Sequence, residues 1–303
     1  MRISVLDECF LSDENINYLK SVSDFRFDTE DIKGSDIILA DMYERSLNKE
    51  FFSAANNLKL LCINSTGFDK VDLQAAEEKG VKLANVPGFS TEAVAEHVFA
   101  LILASARNIV ESNRAVSLKP FEINPNDRDH TKFLGFNLYG KTLGILGLGA
   151  IGQHVAKIAH GFGMQVIAYN PGPRNLDKVE MVSREELLVR SDILTLHAPL
   201  NKASRAFINA DTMKSMKPGA MIINTARGDC IVSKDLADAL QSGHISAAGL
   251  DTWGEAAPVF SAKNCLITPH SAWFTKEALA KIGDIMVGNI KAFLYGKPIN
   301  FVN

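Results

Sequence analysis

Apolar and polar positions alternate in blocks along this chain, and the apolar blocks come in two lengths. In the first hundred residues ISVLD, DIILAD, LKLLCIN and VKLANV are short runs rich in Ile, Val and Leu. Runs of that length, bounded by polar residues, predict buried strands. Between them lie polar segments with helical spacing, such as DKVDLQAAEEKG, which stops on Gly80. This β-α-β rhythm predicts a parallel sheet covered by helices. A longer apolar block follows, STEAVAEHVFALILASARN, with Ser90 or Thr91 as its cap and Glu92 in its first turn. It predicts a long, largely buried helix.

Residues 117–140, SLKPFEINPNDRDHTKFLGFNLYG, break the rhythm with prolines, asparagines and charges, and predict an irregular excursion. From Lys141 the rhythm resumes through TLGILGLG, QVIAYN, DILTLHAPL, AMIINTARG, ISAAGLDTW and NCLITPH, with SREELLVR and SKDLADALQSG as helices between them. The pattern predicts a second sheet. A last helix, roughly Lys276 to Tyr295, is long enough to carry the chain back to the first domain, where GKPINFVN ends it.

Composition narrows the function classes. The 303 residues, 47% hydrophobic, suffice for two domains with proper cores. A net charge of −3 with interspersed signs lacks the basic footprint of a nucleic-acid binder or a polybasic membrane anchor. No apolar run approaches the roughly 20 residues that span a bilayer, and MRISVLDECF reads as a strand rather than a signal peptide. Cys9, Cys62, Cys230 and Cys265 are scattered and form no C-x-x-C pair. They suit a reducing cytosol and argue against a disulfide framework or a structural zinc site. The expectation is a cytoplasmic protein with no metal site, nucleic-acid partner or membrane partner.

The chemistry begins at Gly147, Gly149 and Gly152, spaced G-x-G-x-x-G. In such a loop the first glycine permits the strand-to-helix turn, the second lets the backbone approach a pyrophosphate, and the third lets the helix pack on the strand. The helix N-terminus then offers N–H groups to the phosphates. Alone the motif is also compatible with a simple glycine-rich turn. Here it follows a strand, opens a helix, and is succeeded by a strand ending on Asn170, 18 residues beyond Gly152. That context points to a dinucleotide. An NAD-selective site usually places Asp or Glu where Asn170 stands. Asparagine does not repel a 2′-phosphate, and Arg174 is either a partner for one or a solvated loop residue.

Three further segments fall at strand ends: NTARGD, GLDTWGEAAP and TPHSAW. Ligands gather at the carboxyl edges of strands in such sheets, so Arg227, Asp251, Glu255 and His270 are expected to converge there. Each has an ordinary explanation taken singly: a surface charge, a turn former, a satisfied histidine. In this order after a G-x-G-x-x-G they resemble the D-isomer-specific 2-hydroxyacid dehydrogenase family. The resemblance covers nearly the whole chain and includes NSTGFDKVD, NVPGFSTEAVAEH, GLGAIG, LHAPL, NTARGD, GLD and TPHSAW. Within the family, AYNPGPR and the ending KNCLITPHSAW…IKAFLYGKPINFVN are most similar to bacterial glycerate dehydrogenases, also called hydroxypyruvate reductases.

The resemblance implies an α/β fold of two doubly wound parallel-sheet domains. A Rossmann NAD(P)-binding domain, residues 104–276, is inserted in a flavodoxin-like substrate domain of residues 1–103 and 277–303. It implies that Arg227 grips the substrate, His270 is the acid/base, and Glu255 holds His270 and favours its charged form. Thr66 and Gly67 would receive the substrate carboxylate. The cofactor, NAD or NADP, would be held by Gly147, Gly149, Ala150, Ile151, Gly152, Asn170, Arg174, His197, Pro199, Thr225, Ala226, Asp251, His270 and Ala272. The implied activity interconverts a small 2-keto acid and its D-2-hydroxy acid. A homodimer is also implied, with the long helix from Ala93 and residues 110–139 as contact surfaces. One departure stands out. The family reads D-V-F-x-x-E-P, whereas Asp251 is followed by T-W-G-E-A-A-P, which puts Glu255 one position early. Two rivals stay open: a formate- or phosphite-type dehydrogenase, and a non-enzymatic NAD(H)-sensing corepressor of the same fold.

Overall fold

The short apolar runs become the strands of two separate parallel sheets. The computed structural model describes residues 1–27, 32–118, 133–254 and 257–303. The chain divides into two units, Met1–Ser90 with Phe274–Asn303, and Thr91–Trp273.

The first unit begins with β1 (Arg2–Val5), α1 (Asp13–Val22), β2 (Asp24–Phe27), β3 (Ile37–Ala40), α2 (Lys49–Ala54), β4 (Leu60–Ile63), α3 (Leu73–Glu78) and β5 (Lys82–Ala84). Its strands lie in the order β2-β1-β3-β4-β5, every neighbour parallel. That is the flavodoxin-like order. β3 and β4 are buried along their full length, as strands covered on both faces must be. Side-chain caps start the helices: Ser12, Asn48 and Asp72 each accept an N–H from the first turn of α1, α2 and α3.

The second unit runs α4 (Thr91–Ala106), α5 (Ile109–Leu118), β6 (Thr142–Leu146), α6 (Ala150–Gly161), β7 (Gln165–Tyr169), β8 (Glu180–Met181), α7 (Arg184–Arg190), β9 (Ile193–Leu196), α8 (Ala210–Ser215), β10 (Ala220–Asn224), α9 (Ser233–Ser242), β11 (Ile245–Leu250), α10 (Ala257–Phe260) and β12 (Cys265–Ile267). The strand order is β12-β11-β10-β9-β6-β7-β8, again all parallel. Counted from β6 this is the dinucleotide-binding order 3-2-1-4-5-6 with one strand added. α4 packs on this sheet, and Gly249 of β11 makes the approach possible. A Cβ there would lie 2.9 Å from Leu101 Cβ and 2.9 Å from Ile223 Cδ1.

The chain then returns to the first unit through α11 (Lys276–Leu294), capped by Thr275. Beyond α11, Phe301 pairs antiparallel with Ala84 on edge strand β5. Asn303 Oδ1 accepts the Leu83 N–H at 2.7 Å. The tail therefore covers an edge that would otherwise present unpaired backbone groups.

Several expectations are sharpened. The unit boundaries fall at Ser90/Thr91 and Trp273/Phe274, ahead of 103/104 and 276/277, because all of α4 packs with the second sheet. The long block from Thr91 is the single helix α4, and after Arg107–Asn108, where Asn108 has φ 50°, a further helix that was not expected, α5, follows. β2 and β8 carry too little apolar pattern to be foreseen. Most of the 117–140 excursion lies outside the described residues.

Candidate active site

Nearly all the nucleotide-site residues sit at the carboxyl edge of the second sheet. Gly147, directly after β6, has φ 95°, and a Cβ there would lie 2.7 Å from the Ala198 nitrogen. At Gly152, on the first turn of α6, a Cβ would lie 2.3 Å from the Gly147 carbonyl oxygen. Gly149 differs: nothing lies within 4 Å of its Cβ position. Two glycines are therefore demanded by the protein's own packing, while the third faces open space, as a backbone that must admit a pyrophosphate should. Gly149 is also the N-cap of α6 and supplies no side-chain cap, so the first-turn N–H groups around Ala150 and Ile151 keep their capacity for an anion.

Asn170 follows β7. Its Oδ1 accepts the Leu148 N–H of the glycine loop at 3.3 Å, and its Nδ2 donates to the Gly172 carbonyl at 3.0 Å. Arg174 is exposed in the loop beyond. His197, directly after β9, donates its N–H to the Leu146 carbonyl at 2.8 Å, and its Nε2 lies 2.9 Å from Thr195 Oγ1. Loss of solvent around the imidazole pushes its pKa down to about 3, so the ring is neutral. Pro199 is exposed, and its carbonyl accepts the Ser204 hydroxyl at 2.6 Å.

β10 delivers Thr225, Ala226 and Arg227. Fully buried Asn224 shapes this turn: Oδ1 accepts the Ala226 N–H at 3.0 Å, and Nδ2 donates to the Arg227 carbonyl at 2.8 Å. The next residue, Gly228, sits so close to the loop after β11 that a Cβ would lie 2.0 Å from the Trp253 carbonyl carbon. Arg227 is half-buried, and its Nη1 donates to the Ala226 carbonyl at 2.9 Å.

The turn carrying His270 is tied to a buried carboxylate. Asp251, 1% exposed, follows β11. It accepts the Thr268 hydroxyl, the Ser271 N–H at 2.9 Å and the Ala272 N–H at 3.0 Å. His97 of α4 extends the network, with Nε2 3.0 Å from Thr268 Oγ1 and 3.8 Å from Asp251 Oδ1. His270 itself has φ 55° and donates its N–H to the Thr268 carbonyl at 3.0 Å. A non-glycine residue in that conformation costs on the order of 1 kcal/mol, which the bonds into Asp251 offset. His97, Thr268 and Asn224 fall within the motifs NVPGFSTEAVAEH, TPHSAW and NTARGD, but nothing in the sequence signalled these contacts. Glu255, the expected partner of His270, lies outside the described residues.

In the first unit, Thr66 and Gly67 occupy the loop after β4. The Thr66 hydroxyl donates to the Val86 carbonyl at 2.7 Å, and the Ser65 hydroxyl to the Gly67 carbonyl at 2.8 Å. The N–H groups of Thr66 and Gly67 have no acceptor among the described residues. Such a pair of donors suits a carboxylate.

A dinucleotide fits the second unit on grounds independent of the motif. The Thr225 hydroxyl is buried and has no hydrogen-bond partner among the described residues. An orphaned buried hydroxyl at this edge calls for a ligand or water. With the bare N-terminus of α6 and the open space at Gly149, it forms a receptive strip along the carboxyl ends of β6 to β11.

Comparison with known proteins agrees. Residues 99–272 match the family model described as the D-isomer specific 2-hydroxyacid dehydrogenase NAD-binding domain. The chain is 36% identical over 310 residues to a hydroxypyruvate reductase of Blautia hydrogenotrophica, covering 99% of this chain and 94% of that protein. It is 37% identical over 274 residues to a glyoxylate reductase of Thermococcus litoralis, covering 88% and 83%. Among solved structures, an acyclic imino acid reductase in complex with NADPH and D-Arg superposes with a TM-score of 0.90 at 31% identity, covering all of both chains. Sequence, fold and relatives converge: the chain belongs to the D-isomer specific 2-hydroxyacid dehydrogenase family.

Proposed function

We propose that this protein is an NAD(P)-dependent reductase whose preferred substrates are hydroxypyruvate or glyoxylate, interconverted with the D-2-hydroxy acid. The observation that carries this reading is the placement of Arg227 and His270 just beyond β10 and β12, on the sheet edge that bears the glycine loop. The names of the relatives from Blautia hydrogenotrophica and Thermococcus litoralis support the choice of small keto acids, as does the polar loop Asn64-Ser65-Thr66.

When bound, a reduced nicotinamide supplies the hydride. Ala150, Ile151 and the loop glycines hold its pyrophosphate, Asn170 and Arg174 face the ribose, and His197, Pro199, Thr225, Ala226, Asp251 and Ala272 line the remainder. Arg227 binds the substrate carboxylate and carbonyl, for which a planar fork of donors is suited. His270 donates a proton to the carbonyl oxygen in reduction and takes one back in oxidation. Glu255, which lies outside the described residues, keeps the role that the resemblance gives it, a carboxylate that would favour the charged imidazole. Thr66 and Gly67 offer their N–H groups to the carboxylate.

The protein is read as a cytoplasmic homodimer with no nucleic-acid or membrane partner. α5 buries none of its residues and leaves Ile109, Val110, Val116 and Leu118 in solvent, which supports a second copy as the covering surface. Among the described residues no single helix is long and apolar enough to cross a membrane. The consecutive helices α4 and α5 pass that test together but are bent by 59°, and α4 is largely buried on the second sheet.

Steady-state reduction of hydroxypyruvate, glyoxylate and pyruvate, each with NADH and NADPH, tests the reading. The expected result is a higher kcat/KM for hydroxypyruvate or glyoxylate than for phenylpyruvate or 2-ketoisocaproate. A preference for those apolar acids, for formate or phosphite in oxidation, or for keto acids only when an amine is present would overturn it.

A further inference from the structure

The loop after β4 rests on a chain of three asparagine amides, two of them buried, contributed by distant parts of the first unit. Asn289, on α11, is fully buried. Its Nδ2 donates to the Asn85 carbonyl at 2.9 Å, and its Oδ1 accepts Asn300 Nδ2 at 2.8 Å. The Asn300 carbonyl in turn accepts the Asn85 N–H at 3.1 Å. Asn85 passes the chain on: its Nδ2 donates to the Thr66 carbonyl at 2.8 Å. On the neighbouring side the Val86 N–H donates to the Ser65 carbonyl at 3.0 Å, and the Ser65 hydroxyl occupies the Gly67 carbonyl. All three carbonyls of Ser65, Thr66 and Gly67 are thereby taken, while the N–H groups of Thr66 and Gly67 have no acceptor among the described residues.

An amide at position 289 is costly there unless bonded. Burying an unpaired amide is unfavourable, and the neighbours of Asn289 on the same helix, such as Met286 and Ile290, are buried apolar residues. If the helix only needed anchoring, leucine would serve. A bonded polar network instead fixes one geometry, because each member specifies its partner's position. Asn300 also adopts φ 57°, a left-handed conformation that asparagine tolerates better than most residues.

We propose that Asn289, Asn300 and Asn85 are positioning residues for the Ser65–Gly67 loop, holding its carbonyls so that the Thr66 and Gly67 N–H groups stay open to a substrate carboxylate. This rests on the reading of that loop as the carboxylate-binding element. A carboxylate is present in substrate and transition state alike, so loosening its receptor weakens uniform binding: KM rises and kcat is largely kept.

The test uses the full chain with hydroxypyruvate as substrate, oxalate as a non-reacting carboxylate probe, and NADH and NADPH binding followed by fluorescence. Three variants are compared: Asn289→Leu, Asn85→Leu and Asn300→Gly, the last keeping the left-handed backbone accessible should the buried variants fail to fold. The expected result is a KM for hydroxypyruvate and an inhibition constant for oxalate that both rise about tenfold, with kcat within about threefold and cofactor binding unchanged. The double variant Asn289→Leu/Asn300→Gly should be no worse than the more affected single one, since the two amides act in series. Unchanged KM and oxalate inhibition in folded variants would overturn this proposal alone. So would an equal loss of cofactor binding, which marks general damage. A parent that neither reduces a 2-keto acid nor binds oxalate would overturn the functional reading, and this proposal with it.

Discussion

At the scale of single residues, Asn170 shows how one atom can decide a cofactor. Its oxygen is engaged by the Leu148 N–H and its nitrogen by the Gly172 carbonyl. In Asn170→Asp the first bond survives, whereas the second atom becomes an acceptor that cannot face another carbonyl and is released toward a ribose hydroxyl. Relative kcat/KM for NADH over NADPH should rise about tenfold or more, the scale of one charged hydrogen bond. Equal ratios in parent and variant would mean that the ribose is read elsewhere. His197 makes a different kind of prediction. Its folded pKa, pushed to about 3, lies below the value of about 6.5 for a free imidazole. Between those limits the unfolded chain binds a proton that the folded one does not, so stability falls as pH drops through that window and is unaffected above it. His197→Gln should therefore flatten the dependence of Tm on pH between about 6.5 and 3. A slope identical to the parent's would show that His197 does not contribute to acid sensitivity.

Among the elements, the turn after β12 depends on what β11 and α4 bring to it. Asp251→Asn leaves one acceptor oxygen for three donors, from Thr268, Ser271 and Ala272. At least one N–H or O–H is then buried unpaired, and urea denaturation should show a loss of about 1–3 kcal/mol. Because the same turn carries His270, kcat should fall as well. A variant of parental stability with weakened NADH binding would instead assign Asp251 to the cofactor alone. Most of this architecture was legible in the sequence. Strands buried on both faces spell themselves as continuous Ile, Val and Leu runs, and the glycine loop announces a turn that only glycine can make at Gly147 and Gly152. β2 and β8 were not legible, because short edge strands with exposed polar positions carry no such run. Nor was α5, whose sequence IVESNRAVSL holds no long apolar run. At the candidate site, Arg227, Asp251 and His270 could be placed at the sheet edge because each lies within three residues of the end of an apolar strand. The link from His97 to Thr268 could not, because it joins residues 171 positions apart. The amide chain through Asn289 was hidden for the same reason, and Glu255 lies outside the described residues.

For the whole molecule, α5 yields the prediction with the plainest readout. On the proposed homodimer, a second copy would cover a helix that has no buried residue and four solvent-exposed apolar side chains. Light scattering should give twice the chain mass, and Val116→Asp should shift the protein toward the monomer; a monomeric parent would refute the reading. The nesting of one unit inside the other has a consequence in time. The first unit is interrupted at Ser90 and resumes only at Phe274, yet α11 and the tail paired with β5 belong to it. On the ribosome, at about 5–20 residues per second, that interruption lasts on the order of 10–40 s. Throughout it the β5 edge waits without its antiparallel partner and Asn85 without Asn289, and by its end the nucleotide-binding unit has its whole sequence in hand. Residues 91–273 can thus finish first, and residues 1–90 must be guarded from unwanted partners until residues 274–303 have been made.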